Sequence, residues 1–204
     1  MARTAQLRRH SIKDGVVGGT IGLNGFALSR AVGRKQLRGC KFTHCFASDL
    51  WRTHQTLAGF SEGAGDLPIY FTPRQPDIYL IEWPELIGLW QKCHKAAKRG
   101  EDMLQAAFAE DRDLVERAAI AGAQKFRAWV ETLPEDANVL VVGHSPYMEI
   151  LIYGLTGIVI PALKECQGVR VRFDDTLGTV TVDWQSPDLD PADIRHNLFP
   201  KTHS

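Results

Sequence analysis

The tract Asn138-Val-Leu-Val-Val-Gly143 constrains this chain more than any other. Four aliphatic residues in a row, without polar alternation, suit a strand with protein on both faces. Gly143 ends it in a sharp turn. Pro146 suits the first turn of a helix that carries Met148, Ile150, Leu151 and Leu155. A buried strand feeding directly into a helix is the repeating unit of an α/β sheet.

Weaker copies of that unit run along the chain. Residues 3–9 read as a first strand, less apolar than a central strand usually is because of Arg3, Gln6 and Arg8. Five glycines between Gly15 and Gly25 mark a loop that matches neither a P-loop nor a dinucleotide-binding spacing. Ser29 is expected to cap a helix over about 30–38, closed by Gly39. Phe42 to Ala47 reads as a second strand, and Ser48 or Asp49 as the cap of a helix reaching Phe60. Pro68 to Thr72 reads as a short strand. Pro73 to Glu110 reads as irregular apart from a helix over Glu85 to Arg99. Asp111 to Thr132 carries an apolar face at helical spacing. Val169 to Phe173 and Thr179 to Trp184 alternate as a hairpin would, and the tail from Ser186 is polar and proline-containing. The expected fold is a three-layer α/β sandwich: a mostly parallel central sheet, helices on both faces and one antiparallel pair near the end.

With 204 residues, 44% of them hydrophobic, the chain suits one domain over 1–204 with an insertion at about 60–136. Its longest apolar run, Ile150 to Ile160, is too short to span a bilayer. The first ten residues lack the apolar core of a secretion signal. A cytoplasmic protein is expected, with no membrane partner. Cys40, Cys45, Cys93 and Cys166 form no CxxC pair. Cys40, His44 and Cys45 have no second ligand pair at metal-site spacing, so free thiols and no metal are expected. Residues 1–60 hold ten Lys or Arg and two Asp, although the whole chain is neutral. That segment predicts a local anion site. The basic residues are not interleaved with aromatics, which argues against nucleic acid.

Ligands of open α/β sheets gather at the C-terminal ends of the strands. Three polar tracts fall there: Arg9-His10, Ser48-Asp-Leu-Trp-Arg52-Thr-His-Gln-Thr56, and Gly143-His144. Two arginines and two histidines meeting at one sheet edge would grasp a phosphate and attack it. His44, His54, His94, His196 and His203 have no such context and read as structural or surface residues.

In these residues the chain resembles the histidine phosphatase superfamily, also called phosphoglycerate-mutase-like. That family opens on a strand followed by Arg-His-Gly, here Arg9-His10-Ser11. Its Leu-Ser-x-x-Gly is matched by Leu28 to Gly33, one residue longer. Its Ser-x-x-x-Arg-x-x-Gln-Thr is matched by Ser48 to Thr56, and its late Gly-His by Gly143-His144. The resemblance implies a metal-free, cofactor-free phosphohydrolase with His10 as nucleophile. Arg9 and Arg52 would hold phosphoryl oxygens by charge-assisted hydrogen bonds, and His144 would add a donor. Neighbouring arginines would keep His10 neutral, as a nucleophile must be. Ser11, where the family has glycine, would tighten the turn or touch the phosphate. The leaving-group acid would lie in the insertion, at Glu82 in preference to Glu85, shielded by Trp83 and Pro84. A small phosphorylated substrate or a phosphoprotein is the expected partner, and inorganic phosphate or sulfate would fit the site. A mutase must retain its phosphoenzyme and exclude water. The sequence identifies no such closure.

Two rivals belong to other classes. Gly143-His144-Ser145-Pro146-Tyr147 resembles the nucleophile elbow of esterases, with Ser145 followed by Asp174, Asp175 or Asp183 and then His196. Tyr147 replaces the last glycine of that elbow, no His-Gly-Gly tract precedes it, and Arg9, His10 and Arg52 are left without a task. The other rival is a pseudo-phosphatase that binds phospholigands without turning them over.

Overall fold

A computed structural model describes residues 2–14, 19–68, 83–97, 102–174 and 179–185. Five strands form one sheet in the order β2-β3-β1-β4-β5. They are β1 (Ala2–Arg9), β2 (His44–Ala47), β3 (Asn138–Gly143), β4 (Gly168–Asp174) and β5 (Thr179–Gln185). β1, β2 and β3 run parallel, with Arg9 opposite Gly143 and Ala47 opposite Val142. β4 runs antiparallel to β1 and to β5. The sheet is therefore mixed, with two parallel and two antiparallel pairings, where a mostly parallel one was expected. The whole hairpin β4–β5 joins one edge of the parallel trio, so it contributes both antiparallel pairings.

Side-chain alternation along the strands builds a core on each face. Ala5, Leu7, Val139, Val141, Val169 and Val171 meet α5 (Arg112–Glu131) and α6 (Tyr147–Thr156) through Phe126, Met148 and Ile152. Cys45, Leu140 and Val142 face the other way. They meet α1 (Gly22–Val32), its π-helical continuation through Leu37, and α2 (Trp51–Ala64) through Leu28, Leu37 and Phe60. A third cluster joins α3 (Pro84–Ala97) and α4 (Met103–Glu110) to α5 and α6 through Leu86, Trp90, Leu104 and Val115. Helices cover both faces as expected.

β1 is the middle strand despite its polar residues. Arg8 is fully buried, and Nη1 donates to Gln36 Oε1 at 2.8 Å and to the Cys166 carbonyl at 2.9 Å. Burial pulls its pKa down to about 10, so the guanidinium stays charged at neutral pH. These bonds offset part of the cost of burying it.

Several elements differ from expectation. α1 begins at Gly22, so Ser29 lies mid-helix, where Oγ donates to the Phe26 carbonyl at 2.8 Å. The glycines of this region serve close packing. A Cβ on Gly59 would fall 2.0 Å from Ser29 Oγ, and one on Gly63 would fall 2.0 Å from the Arg30 carbonyl oxygen. Gly39 closes the turn after Leu37 with φ of +76°. Neither Ser48 nor Asp49 caps α2; the N-cap is Leu50, without a side-chain bond. The stretch read as irregular contains α4, whose N-cap Asp102 accepts from Leu104 N and Gln105 N. The strand expected at Pro68 to Thr72 lies, beyond Pro68, outside the described residues, as does the tail from Ser186. Among the described residues no helix is long and apolar enough to cross a membrane, and no group of three or more His, Cys, Asp or Glu could hold a metal ion.

Candidate active site

The parallel trio ends at one sheet edge. His10 N donates to the Gly143 carbonyl at 2.9 Å and Ser48 N to the Val142 carbonyl at 3.1 Å, so the residues after each strand emerge side by side. His10 and His144 are buried, with ring centroids 5.2 Å apart and planes at 58°. Arg52, in the first turn of α2, donates from Nη2 to His144 Nδ1 at 3.3 Å. Arg9 is held from the far side, with Nη1 donating to the Leu163 carbonyl at 2.5 Å and Nη2 4.0 Å from Glu165 Oε1. The four residues singled out from three distant tracts are thus brought to one place.

The rest of the Ser48–Thr56 tract fixes these parts. Thr56 Oγ1 accepts from Ser11 N at 2.9 Å and donates to the Arg52 carbonyl at 2.7 Å. Gln55 Oε1 accepts from Ile21 N at 3.1 Å, tying α2 to the start of α1. Gly19, at φ +70°, lets the backbone approach Arg52; a Cβ there would lie 2.9 Å from Nη1.

Ser11 serves the site through its backbone. Its hydroxyl donates to the Gly25 carbonyl at 2.7 Å, and its own carbonyl lies 2.7 Å from His10 Nδ1. A carbonyl only accepts, so His10 carries its proton on Nδ1 and its lone pair on Nε2. Burial, more than the arginines, lowers the His10 pKa to about 4, with Arg52, Arg9 and Lys13 adding to the effect. His144 is lowered to about 3, again first by burial and then by Arg52, His10, Lys13 and Arg9. Both rings are neutral at neutral pH. Arg52 is itself lowered by burial and by Arg9. Arg9 Nε and Arg52 Nε are buried and have no hydrogen-bond partner among the described residues. Crowded cations with unused N–H donors are what an anion with several oxygens satisfies.

Other expected residues stand elsewhere. Glu82 lies outside the described residues. Glu85 is exposed in the first turn of α3, where a carboxylate suits the helix dipole. Ser145 Oγ donates to Glu149 Oε1 at 2.6 Å. Asp175 and His196, two of its proposed esterase partners, lie outside the described residues.

Three contributors had weak or no signals in the sequence. Lys13 was visible only as part of the basic excess. Glu149 is buried in α6, and burial raises its pKa. Its Oε1 also accepts from Leu163 N at 2.7 Å, so it steadies the residue whose carbonyl holds Arg9. Ser48 read as a helix cap, yet it is buried with Oγ 2.7 Å from His144 Nε2.

Solved structures share this fold. The protein histidine phosphatase SixA complexed with tungstate superposes with a TM-score of 0.61 at 18% identity, covering 94% of this chain and 99% of that one. Phosphoglycerate mutase from Bacillus anthracis str. Sterne gives 0.58 at 18%, covering 95% of each. A phosphoserine phosphatase variant from Entamoeba histolytica in complex with phosphoserine gives 0.58 at 14%, covering 90% and 97%. No curated protein matches the chain. The family model of the histidine phosphatase superfamily (branch 1) matches residues 23–181, a stretch that holds Arg52 and His144 and starts downstream of Arg9 and His10. With most of its length inside that match and its sheet, helices and strand-end residues arranged as described, the chain belongs to the histidine phosphatase superfamily.

Proposed function

We propose that this protein is a phosphomonoesterase that needs no metal and works through a phosphohistidine on His10. A phosphohydrolase-type activity is the coarser statement, and the family and its solved relatives support it. One observation carries the finer reading. The Nδ1–H of His10 is committed to the Ser11 carbonyl, which leaves the Nε2 lone pair on a buried neutral ring beside two arginines with unused donors.

In this reading Nε2 attacks phosphorus while the bond to the leaving oxygen breaks. Arg9, Arg52 and His144 hold the equatorial oxygens as their charge grows, and such preorganised donors supply most of the rate. The leaving oxygen takes its proton from Glu82, or from Glu85 in its place. Water then attacks the phosphohistidine, releases inorganic phosphate and restores His10. Ser11 supports the attack through its carbonyl. The substrate is a small phosphate ester or a phosphoprotein. The phosphoserine and tungstate complexes of two solved structures with this fold support a phosphorylated or phosphoryl-sized ligand.

The test is a panel of phosphomonoesters and phosphopeptides assayed in chelator, with quenching in alkaline detergent to trap labelled enzyme. Wild type is expected to turn over at least one substrate and to carry an acid-labile label that His10→Ala lacks. Undiminished turnover by His10→Ala would end the reading. Tight phosphate binding with no turnover of any substrate would favour a phospholigand-binding protein.

A further inference from the structure

We propose that Ser48 is a positioning residue whose hydroxyl, shared with Thr53, switches His144 from hydrogen-bond acceptor toward Arg52 to hydrogen-bond donor toward a bound anion. The proposal rests on the phosphoryl-binding reading of the site and adds a moving part to it.

The arrangement with Arg52 against His144 follows from counting hydrogens. A guanidinium can only donate, so His144 Nδ1, 3.3 Å from Arg52 Nη2, is an acceptor. The ring is neutral, since burial and the neighbouring cations keep it so. Its one proton is therefore on Nε2 and points at Ser48 Oγ, 2.7 Å away. Ser48 must then send its own hydrogen elsewhere, and Thr53 Oγ1 lies 3.0 Å from Oγ. Thr53 is free to receive it, because its single hydrogen goes to the carbonyls of Leu50 at 2.6 Å and Ser48 at 2.8 Å. Ser48, Thr53 and His144 are all buried, so each of these groups needs its partner.

That arrangement is wrong for an anion. With its lone pair facing the site, Nδ1 would repel a phosphoryl oxygen. When an anion draws Arg52 toward itself, Nδ1 loses the donor that favoured its lone pair. The ring proton then moves from Nε2 to Nδ1 by exchange with solvent. The Ser48 hydroxyl hydrogen turns from Thr53 to Nε2, and the Thr53 hydrogen stays on a backbone carbonyl. Proton number and net charge are the same in both arrangements, and the change needs only one hydroxyl rotation beside the ring. Both Arg52 and His144 now donate to the anion. An alanine at position 48 has nothing to offer Nε2 in the loaded arrangement.

The test reads the ring nitrogens directly. Protein labelled with ¹⁵N-histidine is examined by NMR at neutral pH, alone and saturated with orthophosphate or vanadate, with His144→Gln assigning the signals. Wild type is expected as the Nε2–H tautomer when empty and the Nδ1–H tautomer when loaded. Ser48→Ala is expected to bind either anion about tenfold more weakly and to fail to complete the change, whereas Ser48→Thr restores both. Thr53→Val removes the competing acceptor and is expected to bind at least as tightly as wild type. Anion binding with an unchanged His144 tautomer, or a full change in Ser48→Ala, would overturn the relay while leaving the phosphoryl site standing. Failure of wild type to bind either anion would overturn both.

Discussion

At His10 the environment outweighs the neighbours. Two adjacent arginines suggested an electrostatic origin for a neutral nucleophile, yet burial is the larger cause and the arginines add to it. The consequence is a low acid limit. His10 must be unprotonated to attack, so kcat/KM of the free enzyme is expected to fall only as pH drops through about 4, well below the ordinary histidine range. A pH–rate profile with an acid limb near the ordinary value of 6.5 would contradict this assignment. Arg52 contributes differently, through the direction of its donors. Arg52→Ala is expected to lower kcat about 10²–10³-fold, as removal of a transition-state donor does. Arg52→Lys should recover little of it, since a point charge lacks the guanidinium fork. Steady-state kinetics on both variants checks this.

Among the elements, the α1–α2 crossing holds the helix that carries Arg52 to the sheet edge. Gly63→Ala would normally stabilise a helix by about 1 kcal/mol. Here the added methyl would fall 2.0 Å from the Arg30 carbonyl oxygen, so a loss of about 2–3 kcal/mol in urea unfolding is expected. The same glycines show where sequence reasoning stops. β3 was legible because an unbroken apolar run has few other uses, and α5 because its apolar face repeats over twenty residues. Residues 22–28 were read as the end of a loop and the approach to a cap, since Gly22, Gly25 and Ser29 resemble breakers. Gly25 is in fact required by the Ile12 carbonyl, which a Cβ would meet at 2.3 Å. No local pattern reports a contact of that kind. Arg9, His10, Arg52 and His144 were legible because a motif order survives in the chain. Ser48 was assigned to a helix cap because its true partner lies 96 residues away. The signal for α4 was present in Asp102, an N-cap two residues after Gly100, but an eight-residue helix between breaks carries too little periodicity to stand out.

For the whole molecule, keeping two histidines neutral makes stability depend on pH. Both have folded pKa values below the ordinary one, about 4 for His10 and about 3 for His144. Between those values and 6.5 the unfolded chain binds more protons than the folded one. Stability therefore rises with pH in that window and is lost as pH falls through it. The loss is on the order of 3 kcal/mol for His10 and about 5 kcal/mol for His144 once the window has been crossed. The melting temperature is expected to drop steadily from pH 6.5 to about 4, and His144→Gln should flatten part of that slope. An unchanged slope in that variant would remove His144 from the account.

The strand order has a further consequence for biosynthesis. The middle strand, β1, is made before both of its neighbours, which are supplied by residues 138–174. Arg8 likewise waits for the Cys166 carbonyl. A nascent chain shorter than that leaves β1 without either neighbour, and unpaired strand edges of this kind are prone to pair with other chains. The chemistry and the sheet are therefore completed together, once residues 138–174 have been made, so a shorter chain cannot bring the nucleophile together with its second histidine.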